Sequence, residues 1–253
     1  MPDWLTARPV AHRGLHDASS GVIENNEAAF KAAIAGNYAI ECDIQISADG
    51  EAMVHHDDAL GRLTDGTGNL RDKTAAELKR VAFKATADRM LTLGELCDLT
   101  ADRVALMIEI KSRFDSDLRL ARRAAKVLSG YKGRAAVMSF DPEPIGAARD
   151  LAPDIPRGLV AMQRGAGNPA KAGPSATRFV MQALAARLNF LAYRVQDLGT
   201  AIPTTATEVI TLPFSRVMSQ TPRISPSRIA TKVPISNMPL PPTSSSSRRC
   251  CGR

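Results

Sequence analysis

The stretch "YAIECDIQIS", residues 38–47, decides the fold. Hydrophobic side chains alternate with Glu41, Asp43 and Gln45, the period-two pattern of a strand with two unlike faces. The surrounding sequence reads as alternating strands and helices, which puts such a strand in a parallel sheet covered on both sides. Two carboxylates on one face of a buried strand repel each other, and each loses hydration that something positive must offset. A barrel resolves the conflict. Ile40, Cys42 and Ile44 then face outward against helices, while Glu41, Asp43 and Gln45 face inward at the mouth.

Working outward, "RPVAHRG" reads as a first strand and "NNEAAFKAAIAGNY" as a helix with a glycine stop. After residue 47, "TAAELKRVAF" and "TLGELCDLT" read as helices and "VALMIEIKS" as a strand. Helix "DSDLRLARRAAKVLSGY", strand "AAVMSFD", helix "EPIGAARDLA", strand "PRGLVAM", helix "ATRFVMQALAARL" and strand "NFLAYRV" follow. Repeated βα units over residues 1–197 predict a (β/α)8 TIM-type barrel whose last one or two strands are atypical or missing.

The pattern stops near Leu198. Residues 198–253 hold eight of the sixteen prolines, a run of four serines and no Asp. Only "ATEVITLPF" reads there as a strand, so a disordered Pro/Ser/Arg-rich tail is expected. A shift of reading frame near residue 198 is the sharper explanation. The same segment carries seven basic residues against the single acid Glu208, six of the net charge of +7. The body is therefore nearly neutral. The tail's cations lack interleaved aromatics, which argues against a nucleic-acid partner.

No run approaches the roughly 18 apolar residues of a membrane-spanning helix. The N-terminal "MPDWLTARPVAHRG" has no apolar signal region, so a cytoplasmic protein without a stable membrane anchor is expected. Cys42, Cys97, Cys250 and Cys251 show neither zinc spacing nor a disulfide framework.

A second strand repeats the device of the first. In "LMIEIKS", Ile108 and Ile110 share one face and Glu109 and Lys111 the other. Three acids converging on one mouth call for a cation, and all-oxygen ligation points to Mg²⁺ or Ca²⁺ rather than zinc. Between the two strands, Asp49-Gly50 separates alternating runs and signals a hairpin. Its return strand carries His55, His56 and Asp57 back towards Asp43. His12 ends the first strand, on the face where barrel active sites sit. Histidines beside carboxylates and a lysine suit acid/base chemistry.

"AHRG", "ENN", "ECDIQISADGEAMVHHD", "GRLTDGTG", "TLGEL", "IEIKS" and "MSFDP" occur in the order of the glycerophosphodiester phosphodiesterase family, which the chain resembles from about Arg8 to Asp197. The resemblance implies metal-dependent hydrolysis of a small-molecule glycerophosphodiester to glycerol 3-phosphate and an alcohol. It implies Glu41, Asp43 and Glu109 as metal ligands, His12 and His56 as the acid/base pair, and Arg13 and Lys111 as phosphate-binding cations. Residues 57–100 correspond to a small insertion subdomain. His55 stands where the family has an apolar or aromatic residue, and Asn26 replaces a small hydroxyl residue. The other expectations are a lysophospholipase D-type activity on lipid substrates, or a frame-shifted chain with no catalytic activity.

Overall fold

The computed structural model describes residues 2–161, 181, 184–194, 209–212 and 229–232. β1 (Val10–Ala11) lies parallel to β2 (Ala39–Ile46), and α1 (Glu27–Ala35) connects them. β4 (Leu106–Ile110), β5 (Ala135–Ser139), β6 (Arg157–Ala161) and β7 (Phe190–Arg194) follow as successive parallel neighbours. α4 (Arg119–Gly130) joins β4 to β5, and α5 (Pro142–Leu151) joins β5 to β6. These are the six parallel strands read from the sequence.

Two further strands close the ring. β8 (Val209–Leu212), inside "ATEVITLPF", extends the sheet parallel to β7. β9 (Ile229–Lys232) pairs antiparallel with both β8 and β1, for example Val10 with Ala230. The atypical end of the barrel is thus an antiparallel eighth stave, which the sequence had not indicated. The rest of the tail, including Cys250 and Cys251, and part of the helix expected over "ATRFVMQALAARL" lie outside the described residues.

Alternation along the staves builds two cores. Ile40, Cys42, Ile44, Ile108, Ile110 and Val137 face outward and pack on Phe30, Leu96, Leu120 and Ile145 of the helices. Ala39, Met107, Met138, Val160 and Phe190 face inward and fill the lower barrel, with Leu5 beneath them. The polar inward positions lie two or four residues further along β2 and two further along β4, so the site rests on a dry floor.

The expected hairpin is present. β3 (Ala52–Val54) runs back antiparallel along the end of β2, with Ile44 opposite Val54, and Gly50 takes φ +84° in the turn. β3 and β1 therefore share one edge of β2. Beyond β3, Ile23, Met53, Leu60, Leu70, Leu78, Phe83 and Met90 form a separate small core. α3 (Leu93–Thr100) starts with a capping box between Thr92 and Glu95, which accounts for the "TLGEL" motif, and packs on the outer barrel core.

The helix expected over "TAAELKRVAF" is shorter. α2 (Ala75–Leu78) is a single capped turn. Past it, Thr64 and Phe83 bridge, and Asp65 N donates to Ala82 O and Lys84 N to Leu63 O. Burying both Leu78 and Phe83 in the small core outweighs continuing the helix. Among the described residues no helix is long and apolar enough to cross a membrane.

Candidate active site

The register of β2 on β4 sets Asp43 beside Glu109, with Glu41 two residues back on the same face. All three are buried, and one carboxylate oxygen from each lies within 4.8 Å of the others. Lys111 Nζ donates to Glu109 Oε1 at 2.6 Å and makes an ion contact of 2.7 Å with Asp43 Oδ1. Burial raises the Asp43 carboxyl, but the Lys111 and Arg13 charges outweigh it and hold Asp43 below the usual range. Burial, then the neighbouring carboxylates, push Glu41 well up, and burial with Asp43 raises Glu109.

The loop after β1 completes the cluster. Arg13 adopts φ +58°, an uncommon conformation for a residue with a Cβ, and this aims its backbone N–H at Glu41 Oε2, 2.8 Å away. Gly14 follows at φ +78° and donates to the Ala11 and Glu41 carbonyls. A Cβ on Gly14 would stand 2.9 Å from the Ala29 backbone of α1, so only glycine fits the close approach. "HRG" is thus a turn that locks the first stave to the second. Asn25, also left-handed at φ +54°, donates its amide to Asp43 Oδ2 at 2.8 Å and accepts from Asp43 N. Asn26 caps α1 by accepting from Ala29 N.

Both expected histidines reach the cluster. His12 Nε2 lies 3.8 Å from Glu41 Oε2. Burial, then the Arg13 charge, bring His12 down to about 4, so it is neutral near pH 7. The hairpin returns the chain as expected: His55 N donates to Asp43 O, and Gln45 Nε2 donates to His56 O. His56 Nδ1 sits 2.7 Å from Asp57 Oδ1, and a protonated ring there would lower both the Asp43 and Glu109 carboxyls. His55 is buried, and burial lowers its pKa.

Four contributors carry no role in the sequence reading: Glu24, Asn25, Asp57 and Arg62. Arg13 Nη1 donates to Glu24 Oε1 at 2.9 Å, and Arg62 donates to both Glu24 and Asp57. "ENN" and "HHD" were visible as motifs. Their partners come from separate loops that no periodic pattern aligns.

The donor set suits a hard cation. Glu41 Oε1 is buried without a hydrogen-bond partner, and the available ligands are carboxylate oxygens. Carboxylates, cations and histidines at the C-terminal ends of the first staves occupy the face where TIM-type barrels carry their active sites.

The sequence model of the glycerophosphoryl diester phosphodiesterase family matches residues 12–183, and the chain belongs to that family. A glycerophosphodiester phosphodiesterase of Caldanaerobacter subterraneus subsp. tengcongensis is 33% identical over 161 residues, 60% of this chain and 65% of the relative. The human glycerophosphodiester phosphodiesterase 1 is 27% identical over 157 residues, 58% of this chain and 46% of that protein. The match thus spans less than two thirds of either relative. Among solved structures, an Oleispira antarctica phosphodiesterase in complex with the product sn-glycerol-3-phosphate superposes with a TM-score of 0.67 at 23% identity, covering 82% of this chain and 84% of that one. A Thermotoga maritima glycerophosphodiester phosphodiesterase gives 0.59 at 23% identity, covering 80% and 83%. Both have the same barrel fold.

Proposed function

We propose that this chain hydrolyses glycerophosphodiesters to glycerol 3-phosphate and an alcohol, using a divalent cation, Mg²⁺ or Ca²⁺, held by Glu41, Asp43 and Glu109. The observation that carries this reading is the convergence of those three buried carboxylates with Arg13, Lys111, His12 and His56 at one barrel mouth.

Charge decides much of the chemistry. Three carboxylates face two cations, a net negative set that would repel a phosphodiester. Glu41, Asp43 and Glu109 would hold a divalent cation there, which would supply the positive charge that this set lacks and act as a Lewis acid. Arg13 and Lys111, fixed by their carboxylate partners, would offset negative charge that builds on the phosphoryl oxygens in the transition state. His12, kept neutral, can take a proton from the attacking oxygen. His56, backed by the Asp57 carboxylate, can give one to the departing alkoxide.

The test is release of glycerol 3-phosphate from glycerophosphocholine by the purified 253-residue chain, with Mg²⁺, with Ca²⁺ and with EDTA, beside Glu41→Ala. Release that needs the cation and vanishes in Glu41→Ala is expected. A folded chain that releases none, from this or other glycerophosphodiesters, overturns the proposal.

A further inference from the structure

A run of alternating charges leaves the carboxylate cluster and returns to it. Asp43 Oδ2 lies 3.2 Å from Arg13 Nε, and Arg13 Nη1 donates to Glu24 Oε1 at 2.9 Å. Arg62 Nη2 donates to that same Glu24 oxygen at 2.5 Å, and Arg62 Nε donates to Asp57 Oδ2. The other Asp57 oxygen meets His56 Nδ1 at 2.7 Å. Arg62 is the member that joins the barrel half of this chain to the hairpin half.

Resting on the phosphodiesterase reading, we propose that Arg62 is a positioning residue of the reaction, fixing His56 through Asp57 and Arg13 through Glu24 with one guanidinium group.

Three observations support this. The first is the choice of side chain. Nε and Nη2 serve carboxylates on two different loops from separate donors of one rigid planar fork, which fixes the direction of each contact in a way that the point charge of an ammonium does not. The second is how Arg62 is presented. Gly61 adopts φ +114°, its N–H donates to Thr64 Oγ1, Lys84 donates to its carbonyl, and Leu60 beside it is buried in the small core. That turn is held from several directions. The third is exposure. The Arg62 side chain is 47% exposed, and an exposed ion pair adds little to stability, so packing gives a weak reason for so determined a bridge.

The chemical consequence concerns one proton. With Asp57 accepting from Nδ1–H, the proton that His56 gives to the departing alkoxide comes from Nε2, and the ring is left as the Nδ1–H tautomer. Holding Asp57 in place therefore sets the tautomer as well as the ring orientation. The small core beyond β3 would then act as a brace for the acid/base machinery.

The test combines kinetics with ¹⁵N NMR of the histidine rings in the full chain. Arg62→Met, Arg62→Lys, Asp57→Asn and Glu24→Gln are compared with the doubles that add Arg62→Met to each acid variant. Arg62→Met should lower kcat about 10- to 100-fold, the scale of a slightly misplaced catalytic group. Its melting temperature should stay close to that of the native chain. Each double should fall less than about threefold below the worse single, because its members act as one unit. Arg62→Lys, which keeps the charge but loses the fixed fork, should lie between. In the NMR spectra, His56 should hold the Nδ1–H tautomer in the native chain and show a mixture in Arg62→Met. Multiplicative doubles, or a His56 tautomer indifferent to Arg62, overturn the inference. If the folded native chain releases no product, the phosphodiesterase reading fails, and the tautomer measurement still decides the role of Arg62.

Discussion

Replacing Gly14 by alanine should damage this protein in two separable ways. Gly14 lies at φ +78°, where an L-residue with a Cβ costs about 1–2 kcal/mol. The new methyl would also stand 2.9 Å from the Ala29 carbonyl carbon and Cβ and 3.0 Å from Phe30 Cδ1, all in a packed interior. Overpacking of that kind costs roughly 1–3 kcal/mol, giving about 2–5 kcal/mol in total. Gly50 supplies the control. It has φ +84° and nothing within 4 Å of a built Cβ, so Gly50→Ala should lose only the backbone part, about 1–2 kcal/mol. Urea unfolding of both variants measures the difference, provided the slopes match that of the native chain. Turnover should follow a different order. Gly14→Ala displaces the Arg13 N–H from Glu41 and should lose activity, while Gly50→Ala keeps it. Equal losses of stability in the two variants would refute the claim that contact with α1 demands glycine at residue 14.

Three further outcomes are expected. Asn26→Ser keeps an oxygen to cap α1 and removes the buried Asn26 Nδ2, which has no partner; relief of an unsatisfied donor should gain about 1 kcal/mol, read as a rise in melting temperature. Mg²⁺ or Ca²⁺ at about 100-fold over its dissociation constant should stabilise the native chain by about 2.7 kcal/mol, and Glu41→Ala should show much less in the same thermal melts. Burial raises the Asp57 carboxyl, but hydrogen bonds from Arg62 and His56 outweigh it and bring Asp57 down to about 2. A carboxyl lowered on folding contributes stability that is full above its ordinary value, near 3.8, and is lost as the pH falls towards 2. Asp57→Asn should therefore flatten the stability curve between those two values in urea titrations, and an unchanged slope would count against the Arg62–Asp57–His56 bridge.

What could be read in advance, and what could not, follows from the range of the forces involved. The alternation in β2 and β4 reported both faces correctly, because a strand's period is fixed by its backbone. Asp49-Gly50 gave the hairpin because the turn needs only local geometry. The length of α2 was misjudged because burial of Phe83 against Leu78, a tertiary matter, overrode helical spacing. β9 went unseen because a four-residue strand pairing with both ends of the sheet carries no local signature. At the candidate site, the convergence of the carboxylates with His12, Arg13 and Lys111 was legible from alternation and motif. Asn25 and Arg62 were not, since one depends on a left-handed backbone and the other on a turn about forty residues from its first partner.

Three neighbouring staves, β1, β2 and β4, with the loops and hairpin attached to them, supply every group discussed at the mouth. The proposed chemistry thus occupies one arc of the circumference, and β5 to β9 make up the remainder. Such a layout divides the chain's tolerance to substitution. Changes in the first arc should be felt in turnover even when the protein melts normally. Changes in the opposite arc should be felt in melting and in yield while the surviving folded molecules turn over at an ordinary rate. A strand from an unusual stretch of sequence can then serve as a stave wherever closure, and not chemistry, is the task.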